Sequence, residues 1–272
     1  MEKSITEYFR RFRRTGNPRF LAGALALSLR QGRFSEMARS AVMELTTRPS
    51  SVPSGGGECR NVIRRADPYL GCTFTREDMI RRFGDGFLEL PEDFQGTRWS
   101  GICRMGDLTV VGEYFEGKRL FLLGNGRCLQ LRWYLRQSDV RHIHSVVSLG
   151  NDILVSTGDA RKALDLWRLA GDEPVFVKRL RKHSAGFTGA AKLGGRLFFG
   201  TDFSSRPNWI ETDGKRFPFP RACYRSYVEA MQAVDDRFIV AVNRDKLVDK
   251  GRKVWSVFDA AEEKYVYCGE RP

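Results

Sequence analysis

The chain has 272 residues, of which 42% are hydrophobic and 12% aromatic, so it can bury a globular core and disorder throughout is excluded. Its 46 Lys and Arg against 33 Asp and Glu give a formal net charge of +13, which favours anionic partners. The six cysteines form no CxxC pair and the N-terminus is unlike a signal peptide, so we expect a cytoplasmic protein with free thiols and no cysteine zinc site.

The first 48 residues predict a basic helical segment. Ser4-Ile-Thr-Glu7 has the form of a capping box, and apolar side chains follow at the i, i+3, i+4, i+7 spacing of one helix face. An apolar face flanked by arginines suits a membrane surface, so residues 4–14 are a candidate peripheral anchor; alternatively the face packs on protein. Residues 49–57 are Pro, Ser and Gly with one Val and predict a flexible linker, which leaves 58–272 as the folded domain.

Four segments repeat one pattern, in which an apolar strand, a short polar or glycine turn and a second apolar strand follow each other. Their second strands begin at Leu108, Ile153, Leu197 and Phe238, in steps of 45, 44 and 41 residues. Each unit continues with two more strand-like runs, and this period with four strands per unit is typical of propeller blades. We therefore predict an all-β fold, a β-propeller of about five four-stranded blades behind the α-helical N-terminal segment.

The fifth blade in this count is residues 58–95, which have blade length but match the repeat poorly. Alternatively, this region completes a blade jointly with the C-terminal strand and so removes free sheet edges.

The turns after the third strands carry Asp and Gly. Thr212-Asp213-Gly214-Lys215-Arg216-Phe217 is the clearest example, and Gly124-Asn125-Gly126 occupies the same place in another unit. Over residues 97–270 the chain resembles the Asp-box, or BNR-repeat, propellers, which include sialidases, other glycan-active enzymes and lectins. That resemblance implies a carbohydrate-related propeller. Here Asp and Gly are adjacent and no three arginines can be assigned as a carboxylate clamp, so sialidase activity is not inferred.

A candidate site follows from the propeller geometry. The first strand of each blade lines the central channel, and the hairpin places the end of the second strand beside the start of the first. The first-strand starts contribute Arg98, Ser100, His142, His144, Gly186, Thr188, Tyr227 and Glu229, and the second-strand ends contribute Glu113, Asp159, Asp202 and Asn243.

The two histidines of this candidate site can act together, because residues two apart on a strand point to the same side. We predict His142 and His144 as catalytic proton carriers, with Asp159 as the orienting carboxylate. The expected substrate-binding residues are Arg98, Glu113, Asp202, Tyr227 and Glu229. Metal binding, ligand binding without chemistry and fixed hydrogen bonds at the channel wall stay open as alternatives, and no metal or cofactor is assigned.

The favoured function is a glycan-related propeller that binds or processes a carbohydrate or another anionic small ligand, with a role in bacterial surface-polysaccharide metabolism. Whether it is an enzyme stays open. The alternative is a non-enzymatic scaffold for a protein partner, membrane-peripheral through its basic N-terminal helix. A nucleic-acid partner is not favoured, because the basic run Lys178–Lys182 falls on a predicted outer strand, where charge keeps an exposed edge soluble.

Overall fold

Four antiparallel sheets, each of four strands, follow one another along the chain in the computed structural model. The residues that the structure describes are 22, 26, 56–138, 140–158, 162–170, 173–183, 186–202, 208–220, 223, 226–244 and 253–271. Apart from Ala22 and Ala26, which are helical, the predicted basic segment lies outside them, as does most of the predicted linker. No helix in the described part of the chain is long and apolar enough to cross a bilayer.

Residues 57–94 precede the sheets, and we term this segment the helical wedge. It contains helix α1 (Gly57–Arg65), strand β1 (Thr73–Phe74) and helix α2 (Arg76–Phe83), and β1 pairs with the short strand β2 (Thr97–Arg98) that follows the wedge. Thr75 caps α2 in a complete capping box, with its hydroxyl accepting from the Asp78 amide and the Asp78 carboxylate accepting from the Thr75 amide.

Each blade is a meander of four consecutive strands. Blade 1 contains β3 (Ile102–Met105), β4 (Leu108–Gly112), β5 (Leu120–Gly124) and β6 (Arg127–Leu131). Blade 2 contains β7 (His142–Leu149), β8 (Asp152–Gly158), β9 (Lys162–Ala170) and β10 (Glu173–His183). Blade 3 contains β11 (Gly186–Leu193), β12 (Arg196–Asp202), β13 (Trp209–Thr212) and β14 (Lys215–Pro218). Blade 4 contains β15 (Tyr227–Val234), β16 (Phe238–Arg244), β17 (Lys253–Asp259) and β18 (Lys264–Gly269).

The first strands of the blades form a ring. Strand β3 contacts β7, β7 contacts β11, and β11 contacts β15. The ring closes where β15 meets the 3-10 turn Trp99–Gly101, immediately before β3. The described residues therefore form a four-bladed β-propeller with the first strand of each blade innermost, as the repeat predicted.

The expected count of about five blades is wrong, because residues 58–95 fold mainly into helices. The buried residues Val62 and Ile63 of α1 join the core of blade 4, whereas Phe74 and Met79 join the core of blade 1. Trp99 borders both clusters, so the helical wedge fills the gap between the last blade and the first. The C-terminal strand β18 pairs with β17 in a complete blade, so the alternative of a shared closing blade is also wrong.

Close contact between blades 3 and 4 depends on a glycine. A Cβ atom added to Gly200 would lie 2.6 Å from the Cβ, Cγ1 and Cγ2 atoms of Val228 in the next blade. We expect Gly200→Ala to destabilise the protein by about 1–3 kcal/mol, because overpacking at this buried seam forces backbone shifts. Gly86→Ala is the control, since a Cβ there meets no atom within 4 Å. Equal urea unfolding midpoints for the two variants would contradict this description of the seam.

Candidate site at the channel mouth

Three of the four inner strands carry a β-bulge at the same place. The pairing register skips His144 in β7, Thr188 in β11 and Glu229 in β15. A bulge leaves one residue out of the ladder and redirects its side chain. Just before the first strand of blade 1, Ser100 in the turn Trp99–Gly101 occupies the corresponding place. These residues, one per blade, are all buried and form what we term the inner ring: Ser100, His144, Thr188 and Glu229.

Hydrogen bonds connect the inner ring from blade to blade. The Ser100 hydroxyl donates to the His144 carbonyl at 2.9 Å, and the Thr188 hydroxyl donates to the Val228 carbonyl. The imidazole of His144 occupies the space over Gly158, where a Cβ would lie 1.8 Å from its Nε2 atom. The ring is thus held by contacts between neighbouring blades.

A second layer, the outer ring, lies two residues earlier in each segment: Arg98, His142, Gly186 and Tyr227. Arg98 belongs to β2 and pairs with Thr73, so it precedes the first strand of blade 1. The prediction that Arg98 begins that strand is therefore wrong. Lys162 covers Gly186, because a Cβ there would lie 2.1 Å from the Lys162 Cδ atom. The Lys162 ammonium donates to the Asp202 carbonyl at 2.5 Å and lies 3.6 Å from its carboxylate.

Tyr114, to which the sequence pattern did not point, connects the arginine to the histidines through its ring. The Arg98 Cζ atom lies 3.8 Å from the centroid of the Tyr114 ring, and its Nη2 donates to the Tyr114 hydroxyl. The Tyr114 and His142 centroids are 4.3 Å apart, and those of His142 and His144 are 4.5 Å apart. Cation–π attraction, a tilted contact between Tyr114 and His142 and an edge-to-face contact between the two histidines favour this arrangement.

Charges from blade 4 complete the site. The Glu229 Oε1 atom lies 2.9 Å from Arg244 Nη2, and its Oε2 atom lies 3.9 Å from Lys253 Nζ. Burial, with a further contribution from Glu229, raises the pKa of Tyr227 to about 12, although Arg98 and Arg244 oppose the shift. Tyr227 is therefore a neutral hydrogen-bond donor near pH 7.

Arg98 is the feature of this site that the surrounding protein explains least. Its residue surface is 9% exposed, and its Nε and Nη1 atoms are buried without a hydrogen-bond partner among the described residues. No carboxylate within the described ranges forms an ion pair with it. Buried arginines are normally paired, because an uncompensated charge in a low-dielectric environment costs free energy.

The structure brings most of the predicted residues together and separates one of them. Arg98, His142, His144, Tyr227 and Glu229 lie in the two rings or their contacts, and Asp202 lies beside Lys162. Glu113 is instead fully buried in an ion pair with Arg119, so its carboxylate is occupied. Asp159 lies outside the described residues. Among the described side chains, no group of three His, Cys, Asp or Glu is arranged to hold a metal ion.

Comparison with known proteins adds little to this geometry. No family model and no curated protein matches the chain. Among solved structures, the chain is similar to the WD40 beta propeller domain of Doa1, with 14% sequence identity and a TM-score of 0.42. The match covers 62% of this chain and 53% of that one, so the chain spans about half the length of this neighbour.

Proposed function

We propose that the protein binds a small anionic ligand at the mouth of the propeller channel, with Arg98 as the principal anchor. The observation that supports this is the buried guanidinium whose Nε and Nη1 atoms lack partners among the described residues. An anion would supply the missing countercharge, and a hydrogen bond to a charged group contributes about 1.5–3 kcal/mol. Lys162 and Arg244 are further cations of the site, and unlike Arg98 they are each paired with a carboxylate, Asp202 and Glu229 respectively.

The ligand class we infer is an acidic carbohydrate or glycoconjugate, in which a carboxylate or phosphate accompanies hydroxyl groups. Glu229 Oε2 is a buried acceptor without a hydrogen-bond partner among the described residues, although Lys253 lies 3.9 Å away. A ligand hydroxyl could donate to it, and Tyr227 could donate to a ligand oxygen. This is the carbohydrate interpretation to which the resemblance to the Asp-box propellers led.

In a catalytic form of this proposal, the protein also converts the bound ligand chemically. His142 and His144 stand in the site beside Tyr114, and imidazoles exchange protons near neutral pH. In this version His144 or His142 carries the proton and Asp159 orients it. His144→Ala should then abolish turnover of a bound glycoconjugate while its binding persists.

Calorimetric titration tests the binding proposal, with glucuronic acid, glucose and inorganic phosphate as probes. We expect glucuronate to bind the wild type, glucose to bind far more weakly, and Arg98→Ala to weaken glucuronate binding by about tenfold or more. Arg104→Ala is the matched control, because it removes the same charge from an exposed side chain. Equal affinity for phosphate and glucuronate would reduce the site to a simple anion site. Absence of binding, or an equal loss in Arg104→Ala, would refute the proposal.

A protein-interaction scaffold is the second candidate, and the edge strand β10 favours it. This strand exposes Val175, Val177 and Leu180 along the outer edge of blade 2, where another chain could add a strand. A partner retained by His144→Ala but lost by Val177→Asp would favour this candidate.

Cytoplasmic location and membrane attachment through residues 4–14 stay proposals, and flotation with phosphatidylserine vesicles tests the attachment.

A further inference from the structure

The loop of residues 113–119 is built around one buried ion pair. Arg119 Nε lies 2.7 Å from Glu113 Oε2, and Arg119 Nη2 lies 2.7 Å from Glu113 Oε1, which is a bidentate geometry. The Gln95 backbone N–H also donates to Glu113 Oε1 at 2.9 Å. Hydrogen bonds from Arg119 to Glu113 foremost, and to Asp93, raise the pKa of the guanidinium above its ordinary value. The bidentate geometry fixes the direction of both side chains.

Gly117 completes this arrangement. A Cβ atom at Gly117 would lie 1.7 Å from Glu113 Oε2, so the carboxylate lies directly against the glycine backbone. The next residue, Lys118, has φ 51°, a left-handed conformation that side chains rarely adopt. The loop therefore folds back onto Glu113, and a side chain at residue 117 would force the carboxylate away.

The backbone of Glu113 connects this ion pair to the candidate site. Its amide donates to the Arg119 carbonyl at 2.8 Å, and its carbonyl accepts from the Ile143 amide at 3.1 Å. Ile143 lies between the two site histidines, and Tyr114 follows Glu113 directly. The Tyr114 amide donates to the Gly96 carbonyl at 2.9 Å. Glu113 thus fixes the backbone on either side of the stack of Arg98, Tyr114 and His142.

We propose that Glu113, Arg119 and Gly117 are positioning residues that fix Tyr114 and, through it, the direction of the Arg98 guanidinium. This inference rests on the proposed function, because it concerns how the anion anchor is oriented. The Tyr114 hydroxyl is the one hydrogen-bond partner of the Arg98 guanidinium among the described residues. The loop therefore influences ligand binding without touching the ligand, and its effect on the guanidinium passes through the tyrosine.

A double-mutant cycle tests the route, with glucuronate as the probe. We expect Arg119→Met to weaken binding by about tenfold, because the loss of the ion pair frees the loop. In a Tyr114→Ala background the same change should have no further effect. Arg76→Met is the control, since Arg76 donates to the carbonyls of Leu88 and Leu90 in the helical wedge and should leave affinity unchanged. Equal losses from Arg119→Met in both backgrounds would overturn the inference.

A second readout needs no ligand and separates the two proposals. The Arg98 Nε–H resonance, assigned with Arg98→Lys, reports the position of the guanidinium over the Tyr114 ring in the free protein. It should shift in Arg119→Met, or in Gly117→Ala if Arg119→Met does not fold, and stay in place in Arg76→Met. An unchanged resonance in the folded loop variant would overturn the positioning role. Lack of glucuronate binding by the wild type would instead refute the proposed function, with the resonance still deciding the role of the loop.

Discussion

Replacing Arg98 with methionine is expected to make the ligand-free protein more stable while removing its affinity for an anion. The substitution takes away a buried charge that has no carboxylate partner among the described residues, and it keeps an unbranched apolar side chain in its place. We expect a gain of about 1–3 kcal/mol in the free energy of unfolding, together with a loss of glucuronate affinity of tenfold to a hundredfold. Urea unfolding with and without glucuronate measures both effects.

The control is Arg104→Met, which changes an exposed arginine and should alter stability by less than about 0.5 kcal/mol. The two effects of Arg98→Met must have opposite signs if this residue serves a ligand at the expense of stability. A loss of stability in the ligand-free Arg98→Met protein would show that Arg98 is a structural residue and would contradict its assignment as the anchor.

Ile63→Ala is expected to destabilise the whole propeller by about 2–5 kcal/mol, the usual cost of truncating a fully buried isoleucine. Ile63 lies in helix α1, and its cluster includes Val240, Trp255 and Val257 of blade 4. Because the helical wedge fills the gap between blade 4 and blade 1, the cavity should weaken closure of the ring as well as local packing. Chemical denaturation followed by tryptophan fluorescence and by circular dichroism measures the effect.

The matched control is Leu88→Ala, a truncation within the same wedge at a side chain that is 50% exposed, which should have little effect. Both probes should report a single transition at a lower denaturant concentration for Ile63→Ala. A separate early transition, with the propeller midpoint unchanged, would mean that the wedge folds independently of the blades.

The repeated blades were predictable because their signals are local. A glycine with positive φ, such as Gly106 or Gly150, forms the tight turn between the first two strands, and alternating apolar residues form the strands themselves. The length of the helical wedge fits the repeat, and for this reason the sequence predicts a degenerate blade there. The capping box at Thr75 and Asp78 was a visible helix signal that the count of repeats obscured.

The candidate site could be predicted only in part, because the repeat period identifies residues at equivalent positions of the blades but not their contacts. That period brought His144 and Glu229 to one ring, although nothing in the sequence revealed that both occupy bulges. The role of Tyr114 depends on its stacking on Arg98 across two segments, which spacing cannot show. Glu113 was expected at the channel because it follows the second strand of its blade. Instead, the loop of residues 113–119 folds back and places Arg119 against the Glu113 carboxylate.

A crystal structure of the protein with glucuronate is the most direct measurement of the central claim, that side chains from different blades meet at one anion site. We predict ligand density with the carboxylate within hydrogen-bond distance of Arg98 Nε or Nη1, and with Tyr227 or Glu229 contacting the same molecule. Density elsewhere on the surface, or a protein carboxylate already bound to Arg98, would contradict it.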